Sequence, residues 1–263
     1  MKIFWGILVF SIGAVWQTCG GGLWRTSMAG PSSKFVSTSS LSKIGRSPAQ
    51  KALNQSQYAQ ARIQKISMEN FGLIQIQPKP KRLFIHMRYA DSTNFLHQPV
   101  YPNSCGCFVH PYALKLLDKA LDILEKEYPD LGLLIWDCAR PLSVQKQLWE
   151  KAEIPRTEKW KYLSHPERGS VHNFGLALDL TLADTSGRPL DMGTDFDHFG
   201  PEAQPVMEDI LWKNGVLSEH VLNNRRLLRR IMRRAGFFPI PHEWWHFNAM
   251  SRRTASEKFS LIP

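Results

Sequence analysis

Along this 263-residue chain the apolar residues fall into a helical rhythm in some stretches and into unbroken runs in others. From Pro111 to Tyr128, Ala113, Leu116, Leu117, Ala120, Leu121 and Leu124 recur at intervals of three and four. That spacing lays one apolar stripe along a helix, and Pro111 suits the first turn, where its missing N–H has no intrahelical partner anyway. Leu131 to Trp136 is a short continuous apolar run, which fits a strand buried on both faces. Pro141 opens a helix reaching about Lys151, and 154–169 reads as a loop. Leu176 to Leu182 is a strand candidate, Ser218 to Ala235 a helix, and Trp244 to Asn248 a final strand. Helices and strands mix without a regular βαβ beat. The predicted class is therefore α+β, a single compact domain whose central, mainly antiparallel sheet is flanked by helices.

This patterning begins only near Phe71. Upstream, Lys2 and the mostly apolar stretch Ile3–Trp16 have the form of a secretory signal: too short to span a bilayer comfortably, but right for an export h-region. Cys19 stands where a lipidated cysteine would, although Trp16-Gln17-Thr18 lacks the small residues a lipoprotein signal uses. From Gly20 to Ser67 the chain is rich in Ser, Gly, Gln and Ala and poor in strong apolar residues, as a flexible tether would be. The expected organisation is a signal or lipoprotein-like leader over 1–19, a linker over 20–67 and a folded domain over 68–263. Export to the periplasm or cell envelope of a bacterium is the matching expectation, with membrane contact only through a lipidated Cys19 or an uncleaved leader.

The net charge of +10 raises the question of a nucleic-acid partner. Residues 1–80 carry nine basic side chains against the single acid Glu69, so the leader and linker hold +8 and the folded part only +2. The dense run Arg225, Arg226, Arg229, Arg230, Arg233 and Arg234 alternates with Leu227, Leu228, Ile231 and Met232 at helical spacing, as the solvated face of an amphipathic helix does. Nucleic acid is excluded as the main partner, because its footprint is a basic face on the folded domain. Hydrophobic content of 43% is ample for a core. Of the four cysteines, Cys19, Cys105, Cys107 and Cys138, no two pairs make a four-ligand structural metal site, and the sequence leaves their disulfide state open.

Chemistry concentrates in three places. In Ser170-Val-His172-Asn-Phe-Gly175-Leu-Ala-Leu-Asp179, a purely extended chain would put His172 and Asp179 on opposite faces, whereas a turn at Gly175 brings them together. Glu243-Trp-Trp-His246 sets a carboxylate and an imidazole among bulky apolar residues. Two imidazoles and a carboxylate make a three-ligand catalytic zinc set, and a separate glutamate can take a proton from water at the remaining position. Arg140, where the buried run gives way to a helix, is a fixed cation suited to an oxyanion. His165, His198, His220 and His242 read as surface residues, and Asp137 as a group that orients its neighbours.

The motif S-x-H-x-x-G-x-A-x-D followed by E-x-W-H resembles the zinc peptidases that act on D-Ala-containing cell-wall peptides. Further stretches resemble the D-alanyl-D-alanine dipeptidases of the vancomycin-resistance type. These are Tyr89-Ala-Asp-Ser-Thr-Asn94-Phe95, Asp137-Cys-Ala-Arg140-Pro141 with Val144-Gln145, Asp191-Met-Gly-Thr-Asp-Phe196-Asp197 and Asn224-Arg-Arg-Leu-Leu228. The resemblance runs from about Phe84 to Asn248. It implies one zinc ion held by His172, Asp179 and His246, with Glu243 as general base and later proton donor. It implies Arg140 as the group that polarises the scissile carbonyl, Ser170 as a substrate contact, and Tyr89 and Asp197 as pocket-shaping residues. The implied partner is a small D,D-dipeptide. Ala139 departs from the family, which often has Tyr there. Acidic groups steadying the ligating histidines are expected too, without assignment. The rival readings are a D,D-carboxypeptidase or endopeptidase acting on peptidoglycan stem peptides, and a zinc-binding module without catalysis.

Overall fold

The structure, a computed structural model, describes residues 67–101 and 106–263. The leader over 1–19, the linker up to residue 66, Cys19 and Cys105 lie outside the described residues.

The principal strands and α-helices run in this order: β1 Ile74–Gln75, β2 Leu83–Ile85, β3 Phe108–Val109, α1 Pro111–Glu127, β4 Leu131–Asp137, α2 Leu142–Lys151, β5 Ala177–Asp184, α3 Glu208–Lys213, α4 Glu219–Ala235, β6 Phe238–Pro239, β7 His246–Asn248 and α5 Arg252–Lys258. Five strands form the main sheet in the order β2-β4-β5-β7-β6. Only β2 and β4 run parallel, and the other three pairings are antiparallel. β1 and β3 make a separate small antiparallel pair. The α+β class and the mainly antiparallel sheet hold.

Local chemistry explains the main elements. His110 caps α1 by accepting from the Tyr112 N–H, Pro111 starts it, and all six stripe residues are buried. Ser218 caps α4 through the Val221 N–H, and Gly236 ends it in the left-handed region at φ 110°. These two helices pack against each other, α1 also against β4 and α4 also against β5. β4 and β5 are buried along nearly their whole length, which is why their sequences read as continuous apolar runs. Gly132 lets β4 lie tight against β2: a Cβ there would sit 2.8 Å from the Arg82 carbonyl oxygen.

Two expectations need correction. The arginine run of α4 is not one solvated face. Arg225 is only 1% exposed, donating to the Met192 and Glu202 carbonyls beside Glu208, and Arg229 makes a two-point contact with buried Glu208. A buried acid on the neighbouring helix draws these two inward, while Arg226 and Arg234 pair with Asp209 and Glu127 at the surface. The last strand is shorter than expected. Trp244 and Trp245 form a turn, packed edge-to-face 5.4 Å apart, and β7 begins only at His246.

The sheet has one irregularity, at the C-terminal end of β4. This strand pairs with β5 in constant register from Leu131↔Asp184 to Ile135↔Leu180, then slips by one, so that Asp137 and not Trp136 faces Asp179. The slip is a β-bulge.

Candidate active site

The C-terminal end of β4, the start of β5 and the start of β7 meet at one end of the sheet. Register places Asp179 between Asp137 on one side and His246 on the other. His172 arrives by a different route, from a 3-10 turn over Val171–Phe174. Ser170 caps that turn by accepting from the His172 N–H, and the Asn173 side chain returns the favour by accepting from the Ser170 N–H. Gly175 ends it at φ 67°, and a Cβ there would lie 2.7 Å from Leu73 and 3.1 Å from the His110 nitrogen. Glycine alone reverses the chain here, bringing His172 back onto Asp179.

Three donor atoms converge. His172 Nε2 lies 3.3 Å from Asp179 Oδ1 and 3.1 Å from His246 Nδ1, and the last two are 3.0 Å apart. Among the described residues these three alone form a buried group with metal-ligand spacing. Zinc bonds of 2.0–2.2 Å at tetrahedral angles put donors about 3.3–3.6 Å apart, so nitrogen, nitrogen and oxygen at 3.0–3.3 Å fit that ion with a small outward adjustment. The outward nitrogens are held as well: His172 Nδ1 donates to the Cys138 carbonyl at 2.7 Å, and His246 Nε2 lies 2.9 Å from Asn248 Oδ1. The expected acids behind the histidines are thus a backbone carbonyl and an amide. Asp137, 3.8 Å from His172 Nδ1, serves another residue.

That residue is Arg140. Its Nε and one terminal nitrogen donate to Asp137 Oδ2 at 2.9 and 2.6 Å, and the other terminal nitrogen donates to Gln145 at 2.9 Å. Asp137 is fully buried and also accepts from the Tyr101 hydroxyl. Burial acts against the Arg140 charge, but Asp137 beside it holds its pKa well above the ordinary value. Its guanidinium also lies 5.1 Å from the Tyr89 ring centre and 3.6 Å from Asp179 Oδ2.

Glu243 precedes β7, with Oε2 3.7 Å from His246 Nδ1. Burial pushes its carboxyl up to about 7, Asp179 adds to that, and His246 and Arg140 pull the other way. Burial likewise opposes charge on Asp179, yet the two imidazoles hold its carboxyl far below the usual range. Tyr89 donates to Asp197 Oδ1 at 3.0 Å. Burial and then Asp179 raise the Asp197 pKa, and its shielded Oδ2 has no hydrogen-bond partner among the described residues.

All eight sequence-nominated residues, Tyr89, Arg140, Ser170, His172, Asp179, Asp197, Glu243 and His246, line one cavity of about 250 Å³. This lies below the 300–1,000 Å³ range of drug-sized pockets, as a very small ligand requires. His198, His220 and His242 are exposed and outside it. Sequence reading missed Asn173, Gln145 and Asn248, polar residues that fix the site from behind; the buried Gln145 within Val144-Gln145 was the available signal. It also left undecided that Cys107 and Cys138 pair as a disulfide, with Cα atoms 5.7 Å apart.

The chain has known relatives over most of its described residues. Residues 81–261 match the family model described as D-ala-D-ala dipeptidase, Peptidase_M15. The chain is 32% identical over 190 residues to the D-alanyl-D-alanine dipeptidase of Escherichia coli (strain K12), covering 68% of this chain and 87% of that protein. It is 30% identical over 176 residues to the D-alanyl-D-alanine dipeptidase of Enterococcus faecium, covering 61% and 82% respectively. It is 29% identical over 163 residues to the protein of that name from Synechocystis, covering 51% and 66%. With a matched segment that takes in both the donor triad and Arg140, this chain is a peptidase and belongs to the D-ala-D-ala dipeptidase family, Peptidase_M15.

Proposed function

We propose that the chain hydrolyses D-alanyl-D-alanine to two D-alanines, with one zinc ion held by His172, Asp179 and His246. The observation that carries this reading is the convergence of those three donor atoms beside Glu243 and Arg140 in a cavity of dipeptide scale. The family match and the names of its relatives support the substrate. When bound, the metal supplies a Lewis acid and lowers the pKa of water to about 7.

The chain's own residues do the rest. Glu243, poised near neutrality, accepts the proton of the attacking water and passes it to the departing amine, which requires a group able to hold and release a proton at the same pH. Arg140 has N–H groups beyond those taken by Asp137 and Gln145, and these face the cavity as donors to the carbonyl oxygen as charge develops on it. Ser170 uses its oxygen to cap the His172 turn, leaving its hydroxyl hydrogen for substrate. Asp197, held through Oδ1 by the Tyr89 hydroxyl, shapes the wall of the cavity.

Export is part of the same proposal: the leader carries it, and the Cys107–Cys138 disulfide suits an oxidising compartment. One observation favours a longer substrate, as a D,D-carboxypeptidase would take: a second pocket of about 560 Å³ adjoins the first through Leu163, Ser164 and Arg252. The test measures alanine release by the zinc-loaded and zinc-stripped chain from D-Ala-D-Ala, L-Ala-L-Ala and a D-Ala-D-Ala-terminated pentapeptide. The expected result is zinc-dependent cleavage of the free D,D-dipeptide alone, reduced about 10²–10⁴-fold in kcat by Glu243→Gln. Cleavage chiefly of the pentapeptide replaces the proposal with the carboxypeptidase reading, and no cleavage by folded, zinc-loaded protein replaces it with a binding module.

A further inference from the structure

Two arginines line the catalytic cavity, and they are in opposite conditions. Arg140 is buried and engaged by Asp137 and Gln145. Arg252 is exposed, donates one terminal N–H to the Arg168 carbonyl at 3.1 Å, and meets no carboxylate among the described residues. That single bond fixes the direction of its side chain and leaves its charge uncompensated. Its backbone is also placed firmly: Ser251 caps α5 through the Thr254 N–H, and α5 comes soon after β7, the strand that carries His246.

Arg252 also belongs to two cavities at once. With Leu163 and Ser164 it forms the wall shared with the second pocket, whose other sides are Trp149, Trp160, His165, Glu167 and Arg168. Tyr89 and Asp197 border only the catalytic cavity. The catalytic cavity is thus lined by the carboxyl groups of Asp179, Asp197 and Glu243, and by the uncompensated cation Arg252 where it adjoins the second pocket. A free dipeptide is a zwitterion with its ammonium and carboxylate on opposite sides of the scissile bond, and this polarity matches it. The one acid lining the second pocket, Glu167, is almost fully exposed and stands 3.8 Å from His165.

We propose that Arg252 is the residue that binds the α-carboxylate at the C-terminal end of the peptide. This selects substrates with a free C-terminus and orients the bond to be cut. The inference rests on the dipeptidase reading and deepens it. Arg252 touches a non-reacting part of the substrate, so its contribution belongs to binding and appears in KM more than in kcat.

The test is steady-state kinetics of the zinc-loaded full chain on D-Ala-D-Ala and on its C-terminal amide, for the wild type, Arg252→Ala and Arg252→Lys. A hydrogen-bonded charge contact predicts that wild type prefers the free acid by about 10- to 100-fold in kcat/KM, mostly through KM. Arg252→Ala should bring that preference to within about threefold of unity, with the loss falling chiefly on the free acid. Arg252→Lys should restore part of it, and thermal melts should show all three equally folded, as expected for an exposed side chain. Retention of the wild-type preference by Arg252→Ala, or no preference in wild type, overturns the proposal. Failure of wild type to cleave either compound overturns the dipeptidase reading and this proposal with it, and that result cannot be mistaken for the first.

Discussion

Asp137→Asn isolates the positioning of Arg140 from the chemistry of the site. The carboxylate takes two hydrogen bonds from Arg140 on Oδ2 and one from Tyr101 on Oδ1, in a spot with no solvent exposure. Asparagine has the same shape. With its oxygen toward Arg140 and its amide toward Tyr101, every contact survives provided the Tyr101 hydroxyl accepts in place of donating. What disappears is the negative charge, leaving the Arg140 guanidinium buried with only Asp179 at 3.6 Å to balance it. Removing one member of a buried ion pair costs about 3–5 kcal/mol. The retained hydrogen bonds put this substitution at the lower end, about 3 kcal/mol. For a domain of this size that is roughly a 6–12 °C fall in melting temperature. Arg140, held now by neutral hydrogen bonds about half as strong as charge-assisted ones, is aimed less firmly at the carbonyl oxygen. The fall in kcat should reach at most about 10²–10³-fold, the loss seen on removing one oxyanion donor. Metal affinity should stay within a few-fold, because neither ligating histidine bonds to Asp137. Calorimetry, zinc titration and dipeptide kinetics on one preparation measure all three. A folded Asp137→Asn protein with kcat within threefold of wild type would refute the positioning argument.

The same geometry sets two further outcomes. Asp179 raises the pKa of His246 although burial works against it, so without metal this imidazole holds its proton to higher pH than usual; a ligand must shed that proton before it binds. Zinc affinity should therefore fall about tenfold for each pH unit below that raised pKa, with proton release that calorimetry in buffers of different ionisation enthalpy detects; a pH-independent affinity between 5 and 7 would contradict this. Gly175→Ala should destabilise the chain by about 1–2 kcal/mol from the left-handed backbone alone, and by more from the contact with Leu73, with a loss of zinc affinity because His172 rides on that turn; unchanged stability and zinc binding would show that the turn tolerates a side chain.

The site was legible because its chemistry is written in residue types that have few substitutes. His172 and Asp179, seven apart, mean little alone; it was the resemblance of S-x-H-x-x-G-x-A-x-D and E-x-W-H to a family motif that singled out the triad, Glu243 and Arg140 before any fold is drawn. The long helices were legible for a different reason: the buried stripe of α1 repeats often enough to show a period. The elements that escaped are those without a period. β1, β3 and β6 are two residues long and β2 three, so no alternation exists to read. Arg225 escaped because arginine looks solvated until Glu208, a residue of another helix, is placed beside it. Asn248 and the Cys138 carbonyl escaped because what makes them useful is position and not reactivity. The pairing of Cys107 with Cys138 depends on β3 lying beside the end of β4, a long-range fact shown by the bond from the Ala139 N–H to the Phe108 carbonyl.

The single-residue slip between β4 and β5 gives this site an unusual vulnerability. Facing directions along a strand are a matter of parity, odd against even, and one extra residue at Trp136 changes the parity of everything after it. In unbroken register Trp136 would stand opposite Asp179 and Asp137 would point through the sheet to the other side. The clamp on Arg140 is thus encoded by the bulged register as much as by residue identities. Closing the bulge with Trp136 kept, so that Trp136 pairs with Asp179, would leave every catalytic side chain in the sequence and still turn Asp137 away from the cavity. A graft of these motifs, Trp136 included, onto a new sheet works only if the bulge travels with them.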